Sequence, residues 1–436
     1  MDIVEVAKRA RVAALKMGNV SGETKNKVLL AVAERIDSKK AHLQQVNAMD
    51  VENAVKAGLP PPLVKRLKLD ITKINEMTKG LRSLVLLDDP VGKVLLAREM
   101  DRGLELYKVT CPIGVIGAIF ESRPDALVQI ATLCLKSGNA VILKGGSEAA
   151  QTNQFLVELI KMAIQSFNEI PVDAVQLIET REAVEKLLEL DEYVDLLVPR
   201  GSGLLVKYIK ENSKIPVLGH TEGICHEYVD ADADLDMAVE ICYDAKVQYA
   251  AACNSMETLL VHKDIARSFL PRMAQRYKDA HVEMRGDSET RRILPNLVTP
   301  TEDWRKEHLD LIVSIRVVDS LEQAIDHINQ YGSHHTDGIV TQDERNAHKF
   351  LQEVDSAVVL HNASTRFSDG YRFGFGAEVG ISTERIHARG PVGLEGLVTY
   401  KYVVLGSGQV VASYMGENAK SFTHKKLEKS VGLHRN

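Results

Sequence analysis

Cys253 stands in the run Ala250-Ala251-Ala252-Cys253-Asn254-Ser255, where small neighbours and two polar residues leave a sulfur open to a ligand as a core cysteine is not. A thiolate there could attack a carbonyl carbon and carry the acyl group as a thioester. On local sequence alone the same residue also fits a small filler at a helix-to-strand turn. A second chemistry is written at two glycine turns, Lys144-Gly145-Gly146-Ser147 and Pro199-Arg200-Gly201-Ser202-Gly203, each after an apolar run and before a helix. Glycine lets the backbone approach a phosphate, a helix start presents unpaired N–H groups, and Lys144 or Arg200 adds positive charge. Neither turn is a complete dinucleotide fingerprint or P-loop, so each alone is also an ordinary tight turn. Two on one sheet fit a nucleotide site as well as they fit two tight turns.

The elements that must carry these residues are legible as periodicity. Residues 1–90 place apolar residues three and four apart and predict helices over 3–17, 22–37, 40–57, 62–68 and 71–87. Two extended runs then flank Asp101-Arg102-Gly103, the turn of a hairpin whose strands are too polar on one face to be central in a sheet. From 114 to 218 short apolar runs alternate with helical stretches, which predicts a doubly wound parallel sheet with strands at 114–120, 140–144, 174–179, 194–198 and 215–218. Ligands of such sheets bind beyond the carboxyl ends of the strands. A second α/β alternation begins at Cys225 and carries strands at 225–229, 258–261, 309–318 and 338–341.

Composition removes several function classes. With 54 basic against 60 acidic side chains, a net charge of −6 and 5% aromatics, the chain has neither the basic surface nor the stacking platforms that nucleic acids need. No apolar window is long enough to span a membrane, and the acidic start Met1-Asp2-Ile3 is unlike a signal peptide, so a cytoplasmic protein is expected. Five cysteines without a C-x-x-C pair argue against a disulfide framework and a thiolate metal site. The adjacent His334-His335 point opposite ways on an extended segment with no Asp, Glu or Cys to complete a set, so no metal is expected.

The blocks PIGVIGAIFESRPD, LKSGNAVILKGGSEA, CNSMETLLV, YGSHHTDGIVT and RFGFGAEVGISTERIHARGPVGLEGLVTYKY resemble, in order and over most of the chain, the gamma-glutamyl phosphate reductase family. That family is the proline-biosynthetic branch of the aldehyde dehydrogenase superfamily. The resemblance implies a Rossmann-type parallel-sheet cofactor domain (1–94 and 112–224), a second α/β catalytic domain (225–396) and a β-hairpin oligomerisation element (95–111 and 397–436). It implies NADPH-dependent reduction of L-glutamyl 5-phosphate to the 5-semialdehyde with release of phosphate. It also implies a homo-oligomer, with a glutamate 5-kinase as a candidate partner. Without a preceding kinase domain, the stand-alone enzyme is expected rather than the bifunctional form.

Residue by residue, the match at C-N-x-x-E-T-L-L-V makes Cys253 the nucleophile. The Cys253 N–H is the first oxyanion donor and the Asn254 side chain the second. Hydrolytic relatives activate water with a Glu in an E-L-G-G motif. The stretch Val217-Leu218-Gly219-His220-Thr221-Glu222-Gly223 lacks it, leaving Glu222 as a weaker alternative base. The superfamily's oxyanion Asn is also absent from Glu121-Ser122-Arg123-Pro124, so Arg123 becomes a candidate for the substrate phosphate. Superfamily alignment places Lys144 and Ser147 near the adenosine ribose, Gly201 and Ser202 at the pyrophosphate, and Glu307 at the nicotinamide ribose. Lys144, Ser147 and Arg200 suit a 2′-phosphate, hence NADP(H). Arg366, His387 and Arg389 are candidates for the substrate's anionic groups. Two alternatives stay open: another acylating aldehyde dehydrogenase, for instance a coenzyme A-dependent one, and a non-catalytic binding protein of the same fold.

Overall fold

The computed structural model describes residues 2–428, so the end of the expected oligomerisation element, 429–436, lies outside the described residues. The chain packs as two compact units. One runs to Leu218 and takes back Phe375–Gly380 and the described chain from Val392 onward; the other comprises Gly219–Gly374 and Ile381–Pro391.

The first unit is built on a parallel four-stranded sheet, in the order Val175–Leu177, Ala140–Lys144, Val115–Phe120 and Leu196–Arg200. Val115–Phe120 is buried throughout and the helix Pro124–Lys136 is buried almost all round, as continuous apolar runs require. Ile215–Leu218 adds no strand: Val217 only bridges Leu197. The expected break at residues 38–39 is also absent. Gly22–Lys56 is one helix, since neither position is Gly or Pro and the Ser38 hydroxyl bonds the Arg35 carbonyl within the turn. Among the described residues no helix is long and apolar enough to cross a membrane.

The hairpin, Val94–Asp101 and Leu104–Pro112, pairs with Val398–Leu405 and Lys425–Lys426 in a four-stranded antiparallel sheet. Leu104–Pro112 is therefore a central strand, against expectation. An antiparallel sheet can leave one face in water, so a strand polar on that face is not barred from the middle. Contacts assign this sheet to the first unit, and the boundary falls at 218/219 rather than 224/225. The Leu218 N–H still bonds Leu197 O at 2.8 Å, whereas Ile224 N–H bonds Ser333 Oγ at 2.8 Å in the second unit. Within the first unit, Val379 N–H bonds Val392 O at 2.9 Å, which ties the returning segments together.

The second unit holds a seven-stranded sheet, parallel throughout: Thr299–Pro300, Glu283–Gly286, Ile312–Val318, Met256–His262, Cys225–Val229, Thr336–Val340 and Val358–His361. The strands that periodicity missed are the short ones toward the two edges. Its core buries several titratable rings. His327 is 2% exposed, lies against the rings of His226, Trp304 and Tyr331 and meets the Arg316 guanidinium. Burial, then the neighbouring His226 and Arg316, hold its pKa down at about 2. An unfolded chain therefore takes up this proton first as pH falls below 6.5, and stability declines from there toward pH 2. The share at pH 4.5 is on the order of 2 kcal/mol. His327→Phe is expected to flatten the fall in denaturation midpoint between pH 7 and 5, measured by urea unfolding.

Candidate active site

In the first unit, the parallel arrangement brings the carboxyl ends of the four strands to one edge. Lys144 ends its strand, and its side chain makes no hydrogen bond or ion pair within the described residues. Gly145, Gly146 and Ser147 line a small pocket with Ala150, Asn153, Leu177, Ile178 and Glu179. A Cβ on Gly145 would overlap the Asn153 amide, so only glycine leaves this floor open. The buried Asn153 Oδ1 has no hydrogen-bond partner. A cradle closed to larger residues, a buried acceptor and an unpaired lysine fit an adenosine bearing a phosphate. Sequence reasoning missed Asn153 and Glu179, because nothing local marks a helix position and a strand end as neighbours.

The second turn differs from expectation. The Ser202 N–H donates to Glu121 Oε2 at 2.8 Å, and the same carboxylate lies against the place a Cβ on Gly201 would take. The chain's own anion thus holds the place expected for a pyrophosphate. Arg200 donates to the Glu378 carbonyl at 2.9 Å and lies 3.8 Å from its carboxylate, rather than standing open for a 2′-phosphate. Arg123 pairs with Asp125 at 3.1 Å, and Glu148 takes the Ser122 N–H at 2.7 Å. Helix starts attract carboxylates as readily as phosphates, so local sequence could not tell them apart.

In the second unit, the thiol lies at the opposite kind of edge. Met256–His262, Cys225–Val229 and Thr336–Val340 are neighbours in one parallel sheet, so residues just before each strand share its amino edge. Cys253, the loop His220–Gly223 and His335 meet there. The Cys253 sulfur and one nitrogen of each of His220 and His335 lie within 4.8 Å of one another. The expectation that no Cys completes a set with the His334-His335 pair is thereby corrected: tertiary structure supplies Cys253, with His220 as a third member. His334 instead turns to Asp355, its Nδ1 at 2.6 Å from the carbonyl.

Each imidazole is held from behind. His220 Nδ1 lies 2.9 Å from the Ile381 carbonyl, which can only accept, so Nδ1 carries the proton and Nε2 is the basic nitrogen. His335 Nδ1 lies 2.8 Å from Thr336 Oγ1, while its buried Nε2 has no partner. Glu307 accepts the Gly223 N–H at 2.8 Å, and burial, opposed by that bond and by His220, raises its pKa. The Glu307 carboxylate thus sits under the loop that packs on Cys253. Glu222 is exposed.

The loop 364–372 closes another side. The Asn254 amide donates to the Ser368 carbonyl at 2.7 Å, so one of its two N–H bonds is committed away from an oxyanion. Arg366 is 8% exposed, bonds Gln248 through Nε at 2.9 Å and lies near enough for a Cys253 thiolate to favour its charge. Arg389 is elsewhere engaged: with Arg385 it clamps Asp355, at 2.9 and 2.7 Å. Burial opposes them, yet the two guanidiniums hold the Asp355 carboxyl below its usual range. His387 is exposed. Of the other cysteines, Cys134, Cys225 and Cys242 are buried, and burial pushes their thiols up; it raises the half-buried Cys111 too. Cys225 donates its S–H to the Cys253 carbonyl at 3.3 Å, as a thiol.

Comparison with known proteins accounts for this arrangement. Residues 1–293 match the model of the aldehyde dehydrogenase family. The chain is 57% identical over 425 residues to gamma-glutamyl phosphate reductase of Natronomonas pharaonis, covering 96% of each. It is 53% identical over 433 residues to that of Pelotomaculum thermopropionicum, covering 99% of each. The chain belongs to the gamma-glutamyl phosphate reductases of the aldehyde dehydrogenase family. The crystal structure of the Thermotoga maritima gamma-glutamyl phosphate reductase superposes with a TM-score of 0.92 at 43% identity, covering 94% of this chain and all of that one. The fold is aldehyde dehydrogenase-like, as expected, and membership makes the protein a dehydrogenase that uses a nicotinamide cofactor. The full-length relatives lie with the acyl phosphate reductases rather than with the coenzyme A-dependent alternative.

Proposed function

We propose that this protein reduces L-glutamyl 5-phosphate to L-glutamate 5-semialdehyde in proline biosynthesis, through a thioester on Cys253 and with NADPH as the reductant. The observation that carries the reading is the partly exposed Cys253 thiol between two oriented imidazoles, with no carboxylate at the place that activates water in hydrolytic relatives. His220 Nε2 takes the thiol proton. The thiolate adds to the carbonyl carbon, the C–O bond to phosphate breaks, and phosphate leaves with its electron pair. The Cys253 N–H faces the oxyanion of each tetrahedral stage. Bound nicotinamide supplies the hydride that takes the thioester to the thiohemiacetal level. The resulting alkoxide re-forms its carbonyl as the C–S bond breaks, and aldehyde and thiolate are released. Arg366 supplies the charge that draws an anionic substrate to the thiol. Arg123, His387 and Arg389 remain candidates for the substrate's other anionic group, Arg389 only once it releases Asp355.

Lys144 and Ser147 are the residues proposed to hold the 2′-phosphate that distinguishes NADPH from NADH. Lys144→Ala is expected to weaken NADPH by about tenfold or more and leave NADH nearly unchanged, because one charge-assisted contact is lost. Fluorescence titration of both reduced cofactors checks this, and equal losses would remove the assignment. A second copy of this chain is the proposed partner of the sheet edge Val398–Leu405, where Tyr400, Tyr402 and Val404 are exposed. A cytoplasmic setting with a glutamate 5-kinase supplying the acyl phosphate completes the reading. The direct test is NADP reduction by glutamate 5-semialdehyde, with phosphate and with coenzyme A as rival acyl acceptors. Turnover with coenzyme A alone would overturn the substrate assignment.

A further inference from the structure

The cluster that serves the thiol has the composition of a metal site. Cys253 Sγ, His220 and His335 each offer one ligand atom, and the three atoms lie within 4.8 Å of one another. His335 is fully buried, and its Nε2 has no hydrogen-bond partner among the described residues, an expensive state for a polar nitrogen unless something binds it. Both rings are gripped through Nδ1, by the Ile381 carbonyl at 2.9 Å and by Thr336 Oγ1 at 2.8 Å, as metal-ligating histidines are held by their outer partners. The rings meet edge to face, with centroids 4.9 Å apart.

We propose that Cys253, His220 and His335 form a three-ligand site for a zinc-class divalent cation, and that its occupation withdraws the Cys253 thiolate from reaction. One thiolate and two imidazoles suit zinc, and the absence of a carboxylate from the set disfavours magnesium and calcium. Tetrahedral zinc, with nitrogen at about 2.0 Å and sulfur at about 2.3 Å, sets donor atoms roughly 3.3–3.6 Å apart. The cluster closes to that geometry by side-chain rotation of about an ångström, with a fourth position left for water or an anion. Binding releases the Cys253 thiol proton to solvent, forms one Zn–S and two Zn–N bonds and moves no electron. The site rests on geometry alone, whereas its effect on turnover rests on Cys253 being the nucleophile.

The test uses the full-length protein, with Co²⁺ as spectroscopic probe and Zn²⁺ as competitor. One Co²⁺ per chain is expected, with a thiolate-to-cobalt charge-transfer band and the visible bands of a tetrahedral ion, both displaced by Zn²⁺. His335→Ala and His220→Ala are each expected to weaken Zn²⁺ at least tenfold, and Cys253→Ser to abolish the charge-transfer band. Wild-type protein alkylated with iodoacetamide must also lose that band, which covers the case of a variant that fails to fold. Unchanged Zn²⁺ affinity in both histidine variants would reduce the site to a simple thiol adduct and overturn the proposal, as would no metal uptake by wild-type protein with its thiol intact. Zn²⁺ is expected to inhibit and a chelator to restore turnover. Metal binding without inhibition would leave the site standing and overturn Cys253 as the nucleophile.

Discussion

Cys253→Ala loses turnover by at least about 10⁴-fold while cofactor affinity stays within a factor of two. The size follows from removing the atom that carries the covalent intermediate, since what survives loss of a nucleophile is binding and oxyanion stabilisation alone. Cofactor affinity survives because the candidate cofactor residues Lys144–Ser147 belong to the first unit and Cys253 to the second. Replacing a half-buried thiol by a methyl group leaves no large cavity, so the fold should hold. Steady-state rates and fluorescence titration of the reduced cofactor check the two halves separately. Brief alkylation of wild-type protein gives an independent view. Label is expected on Cys253 and not on Cys134, Cys225 or Cys242, which burial keeps protonated and shielded. Activity retained in the alanine variant would move the nucleophile elsewhere.

Gly223→Ala should lower kcat by about two orders of magnitude although it adds only one methyl group. A Cβ at Gly223 would overlap the Cys253 carbonyl and stand 2.7 Å from its Cα, closer than real side chains come to backbone. Backbone cannot swing aside as the end of a lysine can, so the nucleophile or its loop must shift. Displacement of a reacting group by about an ångström costs on the order of a hundredfold. The shift has no easy release, because the Gly223 N–H is held by Glu307 on one side and the Ile224 N–H by Ser333 on the other. The far-ultraviolet spectrum should be unchanged. The control is Gly80→Ala, at a helical position where an added Cβ meets nothing within 4 Å. That change should leave kcat alone and stabilise the protein by roughly 0.5–1 kcal/mol. A Gly223→Ala enzyme with wild-type kcat would mean that Cys253 tolerates displacement, and the preorganised-thiol reading would fail.

Much of this molecule is local and could be read without coordinates. The alternation of apolar runs and helical stretches specified two parallel sheets, because parallel neighbours need crossovers and buried strands need unbroken apolar residues. The small residues around Cys253 marked a thiol with room beside it, and the glycines at 145 and 146 marked a turn that a ligand could approach. Arg366 could be picked from its motif, and its guanidinium is within electrostatic reach of Cys253. The sequence says least where a residue's partner is distant in it. Arg200, Arg389 and Ser202 have the right chemistry for phosphate, but Glu378, Asp355 and Glu121 answer them, and local sequence does not show which carboxylate folds back. His335 read as one of two adjacent histidines without a completing ligand until the strand order set Thr336–Val340 beside Cys225–Val229 and Met256–His262. Periodicity says that a segment is a strand but not which strand it neighbours, since that is settled by how the crossover helices pack. The sequence by itself therefore singled out Cys253 as the candidate nucleophile, and it determined the glycine turns and the α/β class. Only the tertiary structure decided which imidazoles reach the sulfur, because three loops far apart in the chain share one sheet edge only after the strands have paired.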